Sequence, residues 1–155
     1  MKKVMLTLIS LLMCFGCQTK TQENPQMTQY ENARDQLIAC QQFDQNDDFH
    51  VQVIFNQLDD GYRYDVVIDQ PKSDMYDIHA IAYANESDNQ MCPTIGFFDD
   101  ESYHLCVNKI DKANGYYKGV QLSGECPKKQ VVRLYIYYFR DVKKTKKVEK
   151  MIEVR

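Results

Sequence analysis

Three histidines and one nearby cysteine are the side chains of this sequence best suited to acid–base or nucleophilic chemistry. His50, His79 and His104 stand far apart, and none belongs to a His-x-His or His-x-x-x-His metal-binding pair. His104 and Cys106 are two residues apart, so a strand would place them on one face, as a base and a thiol nucleophile must be. We interpret the histidines as separate polar positions on outward faces, and we predict no catalytic residues, no metal and no cofactor.

Acidic side chains form three short clusters that resemble the ligands of a hard cation. They lie at residues 44–48, 59–60 and 99–101. Calcium binds several carboxylates at once, but no cluster has the Asp-x-Asp-x-Asp-Gly spacing of a calcium loop. We interpret these residues as turn-forming and solubilising, and keep a calcium-binding protein or an envelope enzyme as the alternative function.

Four cysteines beyond residue 17 predict disulfides. Cys40, Cys92, Cys106 and Cys126 form no Cys-x-x-Cys pair, which argues against a zinc site. Four cysteines in an exported chain permit three pairings into two disulfides. The sequence therefore predicts one or two stabilising disulfides and leaves their connectivity open.

Four tyrosines form a candidate interaction surface. Tyr116 and Tyr117 begin one predicted strand, and Tyr135 and Tyr137 belong to another. Aromatic rings left outside a core suit the recognition of a protein or a glycan. The alternative is that these rings form a second layer of core or lie beneath an N-terminal helix.

The segments that must position these residues alternate between apolar and polar side chains with a period of two, which is typical of strands. The predicted strands are His50–Gln57, Tyr62–Asp69, Met75–Ala84, Pro93–Phe98, Ser102–Asn108, Tyr116–Ser123, Val131–Phe139 and Lys146–Val154. Turns at 59–61 and 99–101 predict two hairpins. Val131–Phe139 is apolar on both faces, which indicates a central strand, whereas the lysines of the last strand suit an edge.

This pattern predicts an all-β fold, an antiparallel immunoglobulin-like β-sandwich of seven or eight strands. A small barrel is the alternative architecture. Tyr30–Gln42 has apolar residues at spacings of three and four, which indicates a short preceding helix or, in its second half, an extra strand. We expect a single domain over residues 30–155 after a polar, flexible linker that ends at residue 29.

The first seventeen residues are typical of a secretory signal. Lys2 and Lys3 precede a mostly apolar run, Val4–Phe15, which is too short for a permanent membrane span. Gly16 and Cys17 end the run before polar residues begin. We expect residues 1–16 to be a signal peptide that addresses the protein outside the cytoplasm.

This segment resembles the signal of bacterial lipoproteins, in which a peptidase cuts before a cysteine that has received a diacylglycerol. The resemblance implies that Cys17 is the lipidated residue, with Gly16 as the small residue before the cut. Cys14 and Phe15 stand where such signals usually carry an aliphatic and a small residue. The alternative is an ordinary signal peptide or an uncleaved anchor. The overall plan resembles that of small uncharacterised lipoproteins with an immunoglobulin-like domain, which implies a domain tethered to a membrane.

Charge divides the chain into an acidic part and a basic end. Residues 18–127 have seven Lys and Arg against nineteen Asp and Glu, whereas residues 128–155 have ten against three. The basic end suits contact with anionic lipid or a cell-wall polymer, although acidic neighbours in the fold could neutralise it. Nucleic acid is a poor partner for an exported chain of net negative charge. The sequence therefore favours a non-catalytic envelope module that binds a protein or polymer.

Overall fold

The computed structural model describes residues 24–84 and 91–155, which form a predominantly β domain with one helix. The predicted signal peptide and Cys17 lie outside the described residues. The elements in chain order are α1 (Pro25–Ala39), β1 (His50–Gln57), β2 (Tyr62–Asp69), β3 (Tyr76–Ala84), β4 (Thr94–Ile95), β5 (His104–Leu105), a 3₁₀ turn (Lys112–Asn114), β6 (Tyr116–Tyr117), β7 (Gly119–Cys126), β8 (Val132–Phe139) and β9 (Lys147–Val154).

Two antiparallel sheets form the body of the fold. The first has the strand order β1-β2-β7 and the second the order β4-β3-β8-β9, while β5 and β6 form a small parallel pair. Side chains from the facing sides of the two sheets, among them Ile68, Ile78 and Leu134, are fully buried in one apolar core. The predicted antiparallel β-sandwich is confirmed at this level.

Helix α1 covers the other side of the second sheet and forms a second apolar layer. Tyr30 and Leu37 of the helix pack there against Tyr135 and Tyr137 of β8, and each of these two strand tyrosines is only 5% exposed. Their burial corrects the prediction that they form an interaction surface. Strand β8 is apolar on both faces because the sandwich core covers one face and the helix covers the other.

The helix begins earlier than its apolar spacing predicted. Asn24 is the N-cap, and its side-chain oxygen accepts a hydrogen bond of 3.1 Å from the backbone N–H of Gln26. Pro25 occupies the first turn, where its missing N–H costs no hydrogen bond. Residues 25–29 are therefore helix rather than linker. In the described ranges, no helix has the length and apolar character needed to cross a membrane.

The second predicted hairpin, from residue 93 to residue 108, does not form. Thr94 and Ile95 of β4 pair with β3, whereas His104 and Leu105 of β5 pair with β6. The side chain of Asp99 accepts a hydrogen bond from the backbone N–H of Gly96 and so turns the chain away after β4. The acidic run at 99–101 is a connection between separate sheets.

The outer face of the first sheet is polar and is organised by one carboxylate. Asp65 of β2 is 7% exposed and accepts hydrogen bonds from Asn56, Arg63, Gln121 and Ser123. These four donors lie on all three strands of the sheet. The pKa of Asp65 is lowered because its hydrogen bonds with Ser123 and Arg63 outweigh the effect of burial. The carboxylate is thus fully used in joining the strands.

The strand registers define two ends of the sandwich. Asp69 pairs with His50 and Gly119, and Phe139 pairs with Tyr76 and Lys147, so these residues share what we call the lower end. The turns at residues 57–62 and 126–132 lie at the opposite, upper end.

Helix α1 starts at the lower end. The side-chain amide of Gln29 donates a hydrogen bond of 2.7 Å to the hydroxyl of Tyr137, near the lower end of β8. At the other end of the helix, the side chain of Arg133 donates a hydrogen bond of 2.9 Å to the carbonyl of Ile38. The helix therefore runs from the lower end towards the upper end, and the chain enters the domain at the lower end.

Candidate functional site

An open pocket at the lower end is the candidate site. Its volume is about 530 Å³, and its wall consists of residues 69–71, residues 106–110 and Lys118. Ligand sites in proteins have volumes of roughly 300–1,000 Å³ and combine apolar walls with a few polar groups. This pocket has both, because Pro71, Val107 and Ile110 line it together with two lysines.

The two lysines of the pocket have no carboxylate partners among the described residues. The ammonium group of Lys109 lies 3.4 Å from the centre of the Tyr116 ring, which attracts it through the face of the π-system. Neither Lys109 nor Lys118 forms an ion pair within the part of the chain that the structure describes. Their charges are therefore available to an anion.

The pocket continues into a hydrogen-bonded cluster around Asp77 through the rings of Tyr116 and His104, whose centres are 4.8 Å apart. The backbone N–H of Asp77 donates a hydrogen bond of 2.9 Å to Nδ1 of His104. The hydroxyl of Ser102 donates one of 3.1 Å to the Asp77 carboxylate. Lys144 forms an ion pair of 2.5 Å with the same carboxylate. The cluster therefore joins β3, β5 and the β8–β9 connection.

Three residues at the lower end have the left-handed backbone conformation that favours glycine. They are Gln70 with φ of 47°, Asp77 with φ of 52° and Lys144 with φ of 56°, the non-glycine residues of the described chain with positive φ. Gln70 lines the pocket, and Asp77 lies where the pairing of β3 with β8 is interrupted. Such conformations cost of order 1 kcal/mol or more each and concentrate at functional sites.

His79 lies beside this cluster in an apolar environment. Its ring stacks on Tyr137 with centres 4.3 Å apart, and its Nδ1 is buried without a hydrogen-bond partner. Burial lowers the pKa of His79, although Asp77 acts in the opposite direction from 3.8 Å. His79 is thus a neutral, packed ring rather than the outward polar residue that the alternation predicted.

The predicted pair of His104 and Cys106 is not arranged for catalysis. Nδ1 of His104 already accepts the Asp77 N–H, and burial lowers the pKa of this histidine. Burial also raises the pKa of the Cys106 thiol, so it is protonated rather than a reactive thiolate. The geometry supplies no activated nucleophile at this position.

The structure joins none of the four described cysteines in a disulfide, which corrects the prediction of disulfides. They lie in different parts of the fold. Cys40 follows the helix, Cys92 belongs to the layer beneath the helix, Cys106 lines the pocket and Cys126 lies in the sandwich core. Apolar packing rather than covalent bonds joins the layers that contain them.

The acidic clusters make specific contacts within the fold, whereas their interpretation predicted turn-forming and solubilising roles. Asp44 accepts a hydrogen bond from the backbone N–H of Met151 in the edge strand β9. Asp48 forms ion pairs of 2.7 Å with Arg140 and 3.0 Å with Lys150. Within the ranges 24–84 and 91–155, no group of three or more His, Cys, Asp or Glu residues could hold a metal ion.

The predicted tyrosine surface is divided by the fold. Tyr135 and Tyr137 lie beneath α1, whereas Tyr116 and Tyr117 are half-buried in β6 near the pocket. Tyr117 stacks on Tyr103 with ring centres 5.6 Å apart. Sequence reasoning missed the pocket itself because residues 69–71, 106–110 and 118 meet only through the packing of β2, β5 and β7.

No known protein family, curated protein or solved structure matches the chain.

Proposed function

We propose that this protein is a lipid-anchored, extracytoplasmic binding module of a bacterial envelope. Cys17 carries the anchor, and the lower end of the domain carries the binding surface. The observation on which the binding role depends is the open pocket, which combines exposed apolar side chains with two lysines that have no carboxylate partner. A concave pocket with apolar walls and a few charged groups is the usual form of a ligand site.

The lipid anchor is supported by the sequence around Cys17. A basic start, a short apolar run and Gly16 lead directly to this cysteine. Two acyl chains on one residue give stable attachment to a membrane, whereas a single chain gives only marginal binding. Such an anchor needs no membrane-spanning helix in the domain.

We also propose that the sandwich is of the immunoglobulin-like class. Support comes from the strand order, in which β1-β2-β7 corresponds to the A-B-E sheet and β3-β8-β9 to the C-F-G sheet of such domains. The short strand β4 then occupies the added position beside strand C.

Fractionation of cells that express Cys17→Ser tests the anchor. We expect this variant to leave the membrane fraction and to lose labelling by radioactive palmitate. Cys40→Ser is the matched control, because it removes a half-buried thiol from the domain and leaves the signal segment unchanged. If Cys17→Ser still sediments with membranes after signal cleavage, the lipid-anchor proposal is wrong.

A further inference from the structure

We infer that the lower end of the domain directly contacts the anionic lipid surface that holds the anchor. This inference rests on the proposed lipidation of Cys17. It identifies the partner of the binding surface as the bilayer itself, contacted by exposed Val107, Ile110 and Val142 and by lysines around them.

The length of the tether and its point of entry favour this orientation. Seven residues, and so eight residue-to-residue steps, separate Cys17 from Pro25, where the helix begins. Fully extended, such a segment spans at most about 29 Å, and any shorter conformation brings the domain closer. Because α1 starts at the lower end, this end is the part of the domain nearest to the anchor.

The apolar side chains exposed at this end suit the interface of a bilayer. Val142 is 68% exposed, Ile110 63% and Val107 52%, and these are three of the four most exposed large apolar residues of the described chain. Val107 and Ile110 line the pocket, and Val142 lies in the β8–β9 connection, whose Lys144 binds Asp77 of the adjoining cluster. Apolar side chains beside basic ones are typical of surfaces that insert among lipid headgroups.

Exposed lysines surround these apolar side chains. Lys109, Lys118 and Lys143 have no ion pair within the described ranges, and all three are exposed. The Asp77 carboxylate beside them is already paired with Lys144. Each lysine close to an anionic membrane adds to the attraction for its surface. Three unpaired lysines next to apolar side chains therefore complement a bilayer that contains acidic lipids.

Photo-crosslinking of the full, lipidated chain tests this orientation. A benzophenone amino acid replaces Val142 at the lower end or, as the matched control, Leu58 at the upper end, which is 38% exposed. Each protein is reconstituted into vesicles of equal parts phosphatidylcholine and clickable phosphatidylglycerol. We expect position 142 to give at least about fivefold more lipid adduct than position 58, because adduct yield follows the time spent at the surface.

Charge reversal sharpens the test. Lys118→Glu with Lys143→Glu should lower the lipid adduct at position 142 at least about tenfold, because two attractive charges become repulsive. Lys128→Glu with Lys129→Glu makes the same change in net charge on exposed lysines of the upper end and should leave the yield within about twofold, since these residues lie beyond the screening length from the bilayer. Replacing the clickable phosphatidylglycerol by clickable phosphatidylcholine should act like the first pair of substitutions.

The outcomes separate the two proposals. Equal lipid adducts at positions 142 and 58, with palmitate on Cys17, would overturn the orientation and leave the anchor standing. A protein adduct in place of a lipid adduct at position 142 in cells would also overturn it. Loss of palmitate labelling from the unmodified chain would instead show that the anchor proposal has failed.

Discussion

The two ends of the sandwich differ in how their connections are built. At the upper end, a short turn joins β1 and β2. In this turn the backbone N–H of Leu58 donates a hydrogen bond of 2.9 Å to the carbonyl of Gly61. At the lower end, the β2–β3 and β8–β9 connections and the interruption of β3 contain the three left-handed non-glycine residues, of which Gln70 lies in the pocket wall. At the upper end, a glycine lets the chain turn without backbone strain. The strained residues of the lower end therefore indicate that this end is shaped for something other than stability.

A network centred on Asp48 stabilises this end against its strain. The carboxylate binds Arg140 and Lys150, and it accepts a hydrogen bond of 2.9 Å from the hydroxyl of fully buried Tyr138. Arg140 also donates to the side chain of Ser73 in the β2–β3 connection. One carboxylate thus joins the connection before β3 to strands β8 and β9.

The largest expected difference between the ends concerns this carboxylate. Asp48→Ala should lower the free energy of unfolding by about 3 kcal/mol, because it leaves Arg140 and the Tyr138 hydroxyl without their partner in a partly buried position. Asp59→Ala, in the exposed upper turn, should change it by less than about 0.5 kcal/mol. Urea unfolding of the two variants measures both values.

Equal losses in the two variants would contradict this view of the lower end. They would mean that the Asp48 network stabilises the domain no more than an exposed turn residue does.

The same carboxylate should make stability depend on pH. Although burial opposes ionisation, hydrogen bonds from Arg140 and Lys150 lower the pKa of Asp48 from 3.8 to about 2. A pKa that is lower in the folded state gives stability that is complete above about pH 4 and is lost as pH falls through about 2. We expect this residue to account for roughly 2 kcal/mol of acid-induced loss.

Asp48→Asn is the control for the pH dependence, because the amide keeps the size of the side chain and cannot titrate. Urea midpoints measured between about pH 2 and pH 5 should fall less steeply for this variant than for the natural chain. Parallel slopes would show that the protonation of other carboxylates governs acid unfolding.

Much of the fold could be predicted from alternation and turn chemistry. Strand β1 begins and ends as predicted, and so does β2, because most of their side chains alternate and an Asp-Gly turn lies between them. The apolar character of both faces of β8 correctly indicated a central strand. A period of two shows which side chains share a face, but it does not identify what covers that face. The burial of Tyr135 beneath α1 therefore required the structure.

The candidate site could not be predicted in the same way. Its parts are brought together by a parallel pairing of two very short strands, β5 and β6, and by an interruption of β3 at Asp77. Pairs of this length leave no periodic signal in a sequence. The lysines were visible as charges, yet only the fold shows that Lys144 is paired with Asp77 while Lys109 is held by an aromatic ring.

The smallest expected difference between the ends concerns the substitution of glutamine by glycine, made once at each end. Gln70→Gly at the lower end should raise the free energy of unfolding by up to about 1 kcal/mol, because glycine adopts a φ of 47° without strain. Gln57→Gly, in strand β1 at the upper end, should lower it by about 0.5–1 kcal/mol, since there the added flexibility of the unfolded chain has no compensation. Opposite signs in urea unfolding would locate backbone strain in the pocket wall, whereas losses at both positions would show that contacts of the Gln70 side chain outweigh its backbone strain.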